Sequence, residues 1–206
     1  MGFKKEDTPS LTDGTLKEPE LKKFTIEELF SHLETINKKR ESNPWIFPII
    51  TNACFEDIIF KNVCLNEVKF INCKFENCTI SDSNLAEVEF LNVSFKDVDF
   101  TGCDMRSVTY YKSQLKSVAM RRCIMLKNDF RVTSFEDVFI NDSDLDDSSV
   151  RESNFDNVRL IRSPGVLLKC PEEGSFIGFK KIFLGNNPLL CKLEIPADAK
   201  RSSAFG

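Results

Sequence analysis

The fold is decided by one repeating stretch, Val88-Glu89-Phe90-Leu91-Asn92-Val93-Ser94-Phe95-Lys96-Asp97-Val98-Asp99-Phe100. A large apolar residue recurs at every fifth position, and a small or β-branched residue such as Val93 or Cys103 stands two positions before it. The pattern extends in both directions over residues 53–160, for 22 consecutive units without an insertion. The large residues are Phe55, Phe60, Leu65, Phe70, Phe75, Ile80, Leu85, Phe90, Phe95, Phe100, Met105, Tyr110, Leu115, Met120, Met125, Phe130, Phe135, Ile140, Leu145, Val150, Phe155 and Leu160.

A period of five residues matches neither the 3.6-residue period of a helix nor the two-residue period of a flat strand. It matches a chain that turns a corner every five residues and points one large and one small side chain inward on each side. Four such sides close one coil, and each coil buries its inner surface only against its neighbours. The sequence therefore predicts a solenoid in which residues one coil apart, such as Phe75 and Phe95, stack in columns.

The residue types along each column support this prediction. One column is almost entirely phenylalanine, a second has no aromatic residue, and a third is again mostly aromatic. The three columns are Phe55, Phe75, Phe95, Leu115, Phe135 and Phe155; Leu65, Leu85, Met105, Met125 and Leu145; and Phe70, Phe90, Tyr110, Phe130 and Val150. Each column keeps its own residue class, as stacking of like on like requires.

Units such as Val68-Lys69-Phe70, Val88-Glu89-Phe90 and Val98-Asp99-Phe100 resemble those of the pentapeptide-repeat family. The resemblance implies an all-β solenoid, a right-handed quadrilateral β-helix of about five and a half coils. Stacked at the spacing of neighbouring strands, these coils would form a rod of roughly 26 Å. We assign residues 51–162 to this β-helix.

The residues before the repeats divide into two segments. Residues 1–23 are polar and charged, and we predict a disordered tail. Residues 24–50 are predicted to form an N-terminal cap, because an open solenoid end exposes core side chains and unpaired backbone groups. Its first part is a predicted helix over about 25–41 with a capping box of Thr25 and Glu28. Ile26, Leu29, Phe30, Leu33 and Ile36 lie on the apolar face of this helix.

The second part of the predicted cap is the apolar segment Pro44-Trp45-Ile46-Phe47-Pro48-Ile49-Ile50. We expect this segment to be covered by protein. His32 is expected on the surface of the helix, without a role as a ligand.

The repeat period breaks at Ser163-Pro164-Gly165, and residues 163–206 form a separate C-terminal segment. Residues 174–184, a turn at Gly185-Asn186-Asn187 and residues 189–195 predict a β-hairpin. The residues 174–181 and 192–203 resemble a small domain of unknown function that follows pentapeptide repeats in some bacterial and phage proteins. That domain usually continues further than Gly206, so this sequence is either a naturally short version or a truncated one.

Composition restricts the class of protein. The 206 residues carry a formal net charge of −4, which does not indicate a nucleic-acid partner. No run of 18 apolar residues and no secretion signal is present, so we expect a cytoplasmic location without membrane association. Of the eight cysteines, Cys73, Cys78, Cys103 and Cys123 occupy the small inward position, where free cysteine serves as a compact apolar residue. No catalytic or metal-binding motif accompanies the carboxylates, so we expect no enzymatic activity, cofactor or metal.

The charges fall into three zones along the repeats. Residues 52–111 carry ten acidic and five basic residues, a net charge of −5. Residues 112–131 carry a net charge of +5, and this basic belt consists of Lys112, Lys116, Arg121, Arg122, Lys127 and Arg131. Residues 132–162 again carry a net charge of −5, with an acidic patch at Asp142, Asp144, Asp146 and Asp147. The basic belt is either ordinary alternating surface charge or an anion-binding band around Arg121 and Arg122.

Some pentapeptide-repeat proteins bind type II topoisomerases such as gyrase through a continuous acidic face that imitates duplex DNA. Here the basic belt interrupts such a face, which makes a DNA mimic the second choice. A structural spacer is a third alternative.

Ile71, Leu91 and Tyr111 recur one coil apart at positions that should face solvent. We call this column the apolar ladder, and contiguous apolar surface usually marks an interface. Either the helix or the hairpin covers the ladder, or another protein binds it. Ile124 and Leu126 add a smaller apolar spot. The leading hypothesis is a non-enzymatic interaction module that binds a partner protein of unknown identity, or its own copy in a homodimer.

Overall fold

The computed structural model describes residues 21–150, 152–163, 176–184, 187–196 and 198. In chain order its elements are β1 (Lys22–Lys23), α1 (Ile26–Arg40), β2 (Ile49–Thr51), β3 (Ala53–Glu56), β4 (Ile59–Lys61), β5 (Lys69–Ile71), β6 (Lys74–Glu76), β7 (Thr79–Ser81), β8 (Glu89–Leu91), β9 (Ser94–Lys96), β10 (Asp99–Thr101), β11 (Gln114–Lys116), β12 (Ala119–Arg121), β13 (Ser134–Glu136), β14 (Phe139–Asn141), β15 (Asn154–Asp156), β16 (Arg159–Ile161), β17 (Phe176–Leu184) and β18 (Asn187–Ile195).

The strands β1 to β16 form a four-sided parallel solenoid, as the sequence predicts. Within the repeats each strand pairs with the strand one coil later, for example Phe55 with Phe75 and Phe100 with Met120. The first face has the strand order β1-β3-β6-β9-β11-β13-β15, and the second face has β16-β14-β12-β10-β7-β4. The third face consists of single bridges that begin at Cys64 and Asn84. The fourth face has β2-β5-β8 and continues as bridges through Thr109 and Asp129.

The core is formed by the inward columns that the period predicts. All 22 large repeat residues are buried except Phe155, which is half-buried in the last coil. The aromatic columns stack ring on ring, with centroids 5.2 Å apart and an interplanar angle of 13° between Phe75 and Phe95. Rings of adjacent columns meet edge to face, as Phe90 and Phe95 do at 4.9 Å. Such pairs add to the free energy gained from apolar burial.

The small inward position also has a hydrogen-bonding role that the period does not predict. Where it carries serine, the hydroxyl binds backbone groups of the preceding coil: Ser113 Oγ accepts from Val93 N at 3.1 Å and donates to the Phe90 carbonyl oxygen at 3.1 Å. The buried thiol of Cys78 donates to the Phe55 carbonyl oxygen at 3.5 Å. Polar residues are tolerated in this core because they satisfy backbone groups between coils.

Each corner of the coil requires a left-handed backbone conformation. Positive φ recurs at every fifth residue from Asn52 to Arg162, with 22 non-glycine residues between 47° and 63° and Gly102 at 65°. Asparagine, aspartate and glycine tolerate this conformation best. They occupy nine of the first eleven corners, but Val132 adopts it with φ of 59°.

Helix α1 closes the N-terminal end of the solenoid. Thr25 and Glu28 form the predicted capping box, with the Glu28 amide 3.1 Å from Thr25 Oγ1 and the Thr25 amide 3.0 Å from Glu28 Oε2. Leu29 and Leu33 are buried in the core, and His32 is exposed as expected. The prediction for Phe30 was wrong: its side chain is 39% exposed, because the helix packs against the core through Leu29, Leu33 and the partly buried Ile26.

The expectation that residues 44–50 are covered was also wrong in part. Pro48 and Ile50 are buried, because β2 joins the fourth face beside β5. The alternate residues face solvent: Trp45 is 83% exposed, Phe47 40% and Ile49 47%. Only one side of this segment therefore completes the solenoid.

The C-terminal hairpin is confirmed. Strands β17 and β18 pair antiparallel from Phe176 with Ile195 to Leu184 with Asn187. Strand β18 lies beside β16, the last strand of the second face. The prediction of a disordered tail over residues 1–23 was wrong at its end, because Lys22 and Lys23 form β1 and pair with β3. Residues 1–20 lie outside the described residues. No helix in the described part of the chain is long and apolar enough to cross a membrane.

Candidate interaction face

The fourth face presents two outward columns, because side chains on either side of a buried strand residue both point to solvent. Ile50, Phe70 and Phe90 point inward along its middle. One outward column consists of Ile49, Lys69, Glu89, Thr109 and Asp129; the other consists of Thr51, Ile71, Leu91, Tyr111 and Arg131. The apolar ladder is therefore a continuous run within the second column.

The ladder remains accessible. Ile71 and Leu91 are half-buried and Tyr111 is 38% exposed. The ammonium of Lys112 lies 5.3 Å from the centre of the Tyr111 ring, a cation–π contact at the edge of the face. The three ladder residues are adjacent in space, as their spacing along the sequence predicts.

Neither described flanking element lies over the ladder. Helix α1 covers the end of the stack, where Phe24 meets Phe55 with ring centroids 5.9 Å apart. Its C-terminal end is held by Arg40, which forms an ion pair of 2.6 Å with Glu67 at a corner of the first full coil. Strand β18 lies beside the second face, on the opposite side of the solenoid. Among the described residues, none of the flanking elements covers the fourth face between them.

The exposed apolar surface continues beyond the ladder at the N-terminal end. Ile49 opens the first outward column, and Phe47 lies just before it, with the Arg40 guanidinium 5.7 Å from its ring centre. Trp45 is more exposed than any other described large apolar residue. The sequence analysis did not predict that this part of the segment is exposed. The alternation of Trp45, Phe47 and Ile49 with Pro48 and Ile50 does indicate a segment with one exposed and one buried side.

Charged groups on the same face are paired with one another, either along a column or between the two columns. Lys69 Nζ lies 2.6 Å from Glu89 Oε1, with both side chains about one-third exposed. One coil beyond Tyr111, the Arg131 guanidinium makes hydrogen bonds of 2.8 and 2.6 Å to the Asp129 carboxylate. The fourth face thus combines an apolar column with a second column that carries the charged residues Lys69, Glu89 and Asp129.

The structure places the acidic patch on the third face of the fifth coil. Asp142 and Asp147 stand at its two corners, and Asp144 and Asp146 flank the buried Leu145. The patch is weaker than its composition indicates, because Arg162 binds both oxygens of Asp142 at 2.5 and 2.8 Å. These hydrogen bonds from Arg162 lower the pKa of the Asp142 carboxyl.

Ile124 and Leu126 lie next to the acidic patch, one coil earlier on the third face. Ile124 is 47% exposed and Leu126 is half-buried. They form a smaller apolar spot, separate from the ladder.

The basic belt surrounds the solenoid and forms no single patch. Its members are distributed over all four sides of one coil, and three of them are paired: Lys116 with Glu136 at 2.7 Å, Arg121 with Asp99, and Arg131 with Asp129. Arg121 also lies 5.6 Å from the ring centre of Phe139. In the described part of the chain, Lys112, Arg122 and Lys127 have no ion pair. They occupy three different corners.

No group of three or more histidine, cysteine, aspartate or glutamate side chains is arranged to hold a metal ion within the described residues. The six cysteines from Cys54 to Cys123 are free thiols, and Cys64 is the exposed one among them.

Two family models match the chain. The model described as a pentapeptide repeat region matches residues 52–130, and a family of unknown function, DUF5758, matches residues 166–206. These are the two resemblances that the sequence indicates. No curated protein matches the chain.

Several solved structures are similar to the chain at low identity. They include the pentapeptide repeat protein Rfr23 from the cyanobacterium Cyanothece 51142, with 8% identity, a TM-score of 0.37, and coverage of 66% of this chain and 99% of that chain. A trypsin-treated variant of QnrB1, a plasmid-mediated fluoroquinolone resistance protein, has 15% identity, a TM-score of 0.28 and coverage of 53% and 73%. HetL from the cyanobacterium Nostoc sp. strain PCC 7120, involved in heterocyst differentiation regulation, has 9% identity, a TM-score of 0.23 and coverage of 63% and 72%.

Proposed function

We propose that the solenoid, whose residues 52–130 match the model of a pentapeptide repeat region, is a non-enzymatic interaction module that binds a protein chain on its fourth face. The proposal rests on the open apolar ladder. Ile71, Leu91 and Tyr111 form one accessible column, and neither α1 nor the hairpin lies over it. Contiguous apolar surface of this kind is a common feature of protein interfaces.

The composition of the face also suits a protein partner. An aromatic residue with a polar tip, Tyr111, lies beside the aliphatic Leu91 and Ile71, and charged residues flank them. Interfaces are enriched in aromatic residues at their centre and are polar at their rim. The Lys69–Glu89 and Asp129–Arg131 pairs would supply that rim.

The surface charge does not favour an acidic DNA mimic. Arg162 neutralises Asp142 in the acidic patch, and the basic belt separates the two acidic zones on every side of the solenoid. Direct nucleic-acid binding is equally unsupported, because the basic belt is spread around the coil and three of its six members are ion-paired.

The test compares two ladder variants with a control on another face. Leu91→Asp and Tyr111→Asp each place a charge on the ladder and leave the inward residues unchanged. Gln114→Asp places the same charge on the exposed outward side of β11, on the first face. Unchanged far-ultraviolet circular dichroism would show that the three variants remain folded.

We expect both ladder variants to lose association with the binding partner, while Gln114→Asp retains it. Association would be measured by light-scattering mass and by co-purification from the source organism. If both ladder variants associate as the wild type does, the fourth face is not the interaction surface. Association would then involve another face of the solenoid, whereas a wild type that associates with no protein would favour a structural spacer.

A further inference from the structure

We infer that the chain which binds the fourth face is a second copy of this protein, arranged antiparallel about a two-fold axis between the Ile71 and Leu91 coils. The inference rests on the proposed function of this face. It follows from the order of residues along the two outward columns.

The fourth face consists of successive levels, one for each coil, and every level contributes one residue to each column. From the N-terminal end the levels are Ile49 with Thr51, Lys69 with Ile71, Glu89 with Leu91, Thr109 with Tyr111, and Asp129 with Arg131.

Most homo-oligomers are closed by a two-fold axis, which brings the same surface patch of the two copies into contact. Consider a two-fold axis that lies in the interface and is perpendicular to the solenoid axis. Each column then faces the same column of the other copy, with the order of its levels reversed. The ladder then packs on the ladder of the other copy.

With the axis between the second and third levels, the charges are complementary. Lys69 faces the partner's Glu89, and Glu89 faces the partner's Lys69. In the same register Ile71 faces the partner's Leu91, Ile49 faces the partner's Thr109, and Thr51 faces the partner's Tyr111. Within the two columns, each of these contacts pairs opposite charges, two apolar side chains, or an uncharged polar side chain with an apolar or aromatic one.

The corners of the face fit this register as well. Asn72 comes opposite the partner's Asn92, and two amides can exchange hydrogen bonds, as Asn92 and Asn72 already do within one chain at 2.9 Å. At the other corner Glu87 approaches the partner's Glu67. The charge of Glu67 is balanced by Arg40 at 2.6 Å, so this approach at the rim carries little repulsion.

Neighbouring registers of the same antiparallel arrangement are less favourable. An axis through the Leu91 level places Glu89 on the partner's Glu89 and Ile49 on the partner's Asp129. An axis between the Leu91 and Tyr111 levels places Ile71 on the partner's Arg131. Each of these registers buries a like-charge contact or a charge against an apolar side chain, both of which cost free energy.

A parallel arrangement is also less favourable. If the ladders of two copies packed against each other with both solenoids running in the same direction, Arg131 would lie against the partner's Arg131. Lys112 would also approach the partner's Lys112. The antiparallel register is the arrangement in which the face is complementary to itself.

A charge-swap series tests both the partner and the register. In the proposed register residue 69 of each copy faces Glu89 of the other copy. Lys69→Glu therefore brings four carboxylates together around the axis. We expect this variant to be monomeric, and likewise Glu89→Lys, which brings four ammonium groups together. The double variant Lys69→Glu/Glu89→Lys restores opposite charges across the axis and should associate again. The swaps remove a surface ion pair, which contributes little to folding stability, so each variant should fold.

The measurement is solution mass by light scattering, from micromolar to near-millimolar protein. The inference predicts a mass approaching twice 23.6 kDa for the wild type and the double variant, and the monomer mass for each single variant. A wild type that stays monomeric throughout overturns the second-copy inference. If that monomer loses a bound foreign protein on Leu91→Asp, the proposed function stands by itself. A dimer that Leu91→Asp disrupts but Lys69→Glu does not would overturn the antiparallel register.

Discussion

The ring of Tyr110 stacks on the ring of Phe130, with centroids 4.9 Å apart and an interplanar angle of 12°. Tyr110 is completely buried in the column that also contains Phe70, Phe90 and Phe130, and its hydroxyl has no hydrogen-bond partner among the described residues. Burial raises the pKa of this phenol well above its usual value, so the group stays neutral. A buried hydroxyl without a partner costs free energy that the folded chain does not recover.

Tyr110→Phe should therefore stabilise the protein, by about 1–2 kcal/mol. The ring stack is kept and the unpaired hydroxyl is removed. Chemical denaturation of the variant and the wild type measures the difference in free energy of unfolding. Tyr111→Phe is the matched control, because that hydroxyl belongs to an exposed side chain and its removal should change stability little. A destabilised Tyr110→Phe variant would show that the hydroxyl has a partner in solution.

Val132 holds the left-handed corner conformation with φ of 59°, although its side chain is β-branched and 38% exposed. This conformation costs an ordinary residue about 1–2 kcal/mol, and asparagine tolerates it better. We expect Val132→Asn to raise the free energy of unfolding by about 1 kcal/mol. Ile124→Asn is the control, since Ile124 is similarly exposed and β-branched but lies outside the left-handed corners. If the free energy of unfolding rises equally in both variants, the gain comes from replacing an exposed apolar side chain with a polar one, and the corner is not strained.

Glu76 lies between two ammonium groups on the first face. Hydrogen bonds from Lys74 and Lys96, the latter at 2.7 Å, lower the pKa of the Glu76 carboxyl to about 2. The carboxyl of an unfolded glutamate has a pKa of about 4.5, so the contribution of Glu76 to stability is complete above that pH and is lost as the pH falls toward 2.

Glu76→Gln should consequently lower the melting temperature at neutral pH and reduce its fall between pH 4.5 and pH 2. Thermal unfolding followed by circular dichroism at several pH values measures both effects. Because these charges are near the surface, added salt should narrow the difference between variant and wild type. Parallel curves of melting temperature against pH for the two proteins would contradict the assignment.

Phe95 contacts the rings of Phe75, Phe90, Phe100 and Tyr110 and has no exposed surface. Phe95→Ala should cost about 3–5 kcal/mol, because the coils above and below cannot close over the cavity. Phe155→Ala, at a half-buried position in the last coil, should cost clearly less. Free energies of unfolding would be measured with a denaturant. If they fall equally in both variants, the central coils contribute no more to stability than the last coil.

The five-residue period was sufficient to predict which residues point inward, since Phe95 and its 21 counterparts are large and regular along the sequence. The column rule also explains outward pairs such as Lys116 with Glu136 and Arg162 with Asp142, which stand one coil apart. The left-handed corners were missed, although asparagine and aspartate at Asn52, Asp57 and Asn62 indicate them. The exposure of Trp45 was not predictable from apolar composition, because it depends on which side of the segment joins the coil.

The strict register of the coils makes insertions a sharp test of the architecture. One extra residue after Lys96 rotates every later side chain out of its column, so Phe100 and Met105 would no longer point inward. We expect loss of cooperative unfolding and of most β signal in circular dichroism. Duplication of residues 92–111 instead adds one complete coil and returns the chain to the same corner.

This longer variant should remain folded and should unfold at or above the wild-type temperature, because each coil contacts only its neighbours. The duplication is far longer than the single-residue insertion, yet the shorter change is expected to be the more harmful. Thermal melts of both variants beside the wild type measure the difference. A folded one-residue variant together with an unfolded coil duplication would mean that the columns do not hold the solenoid together.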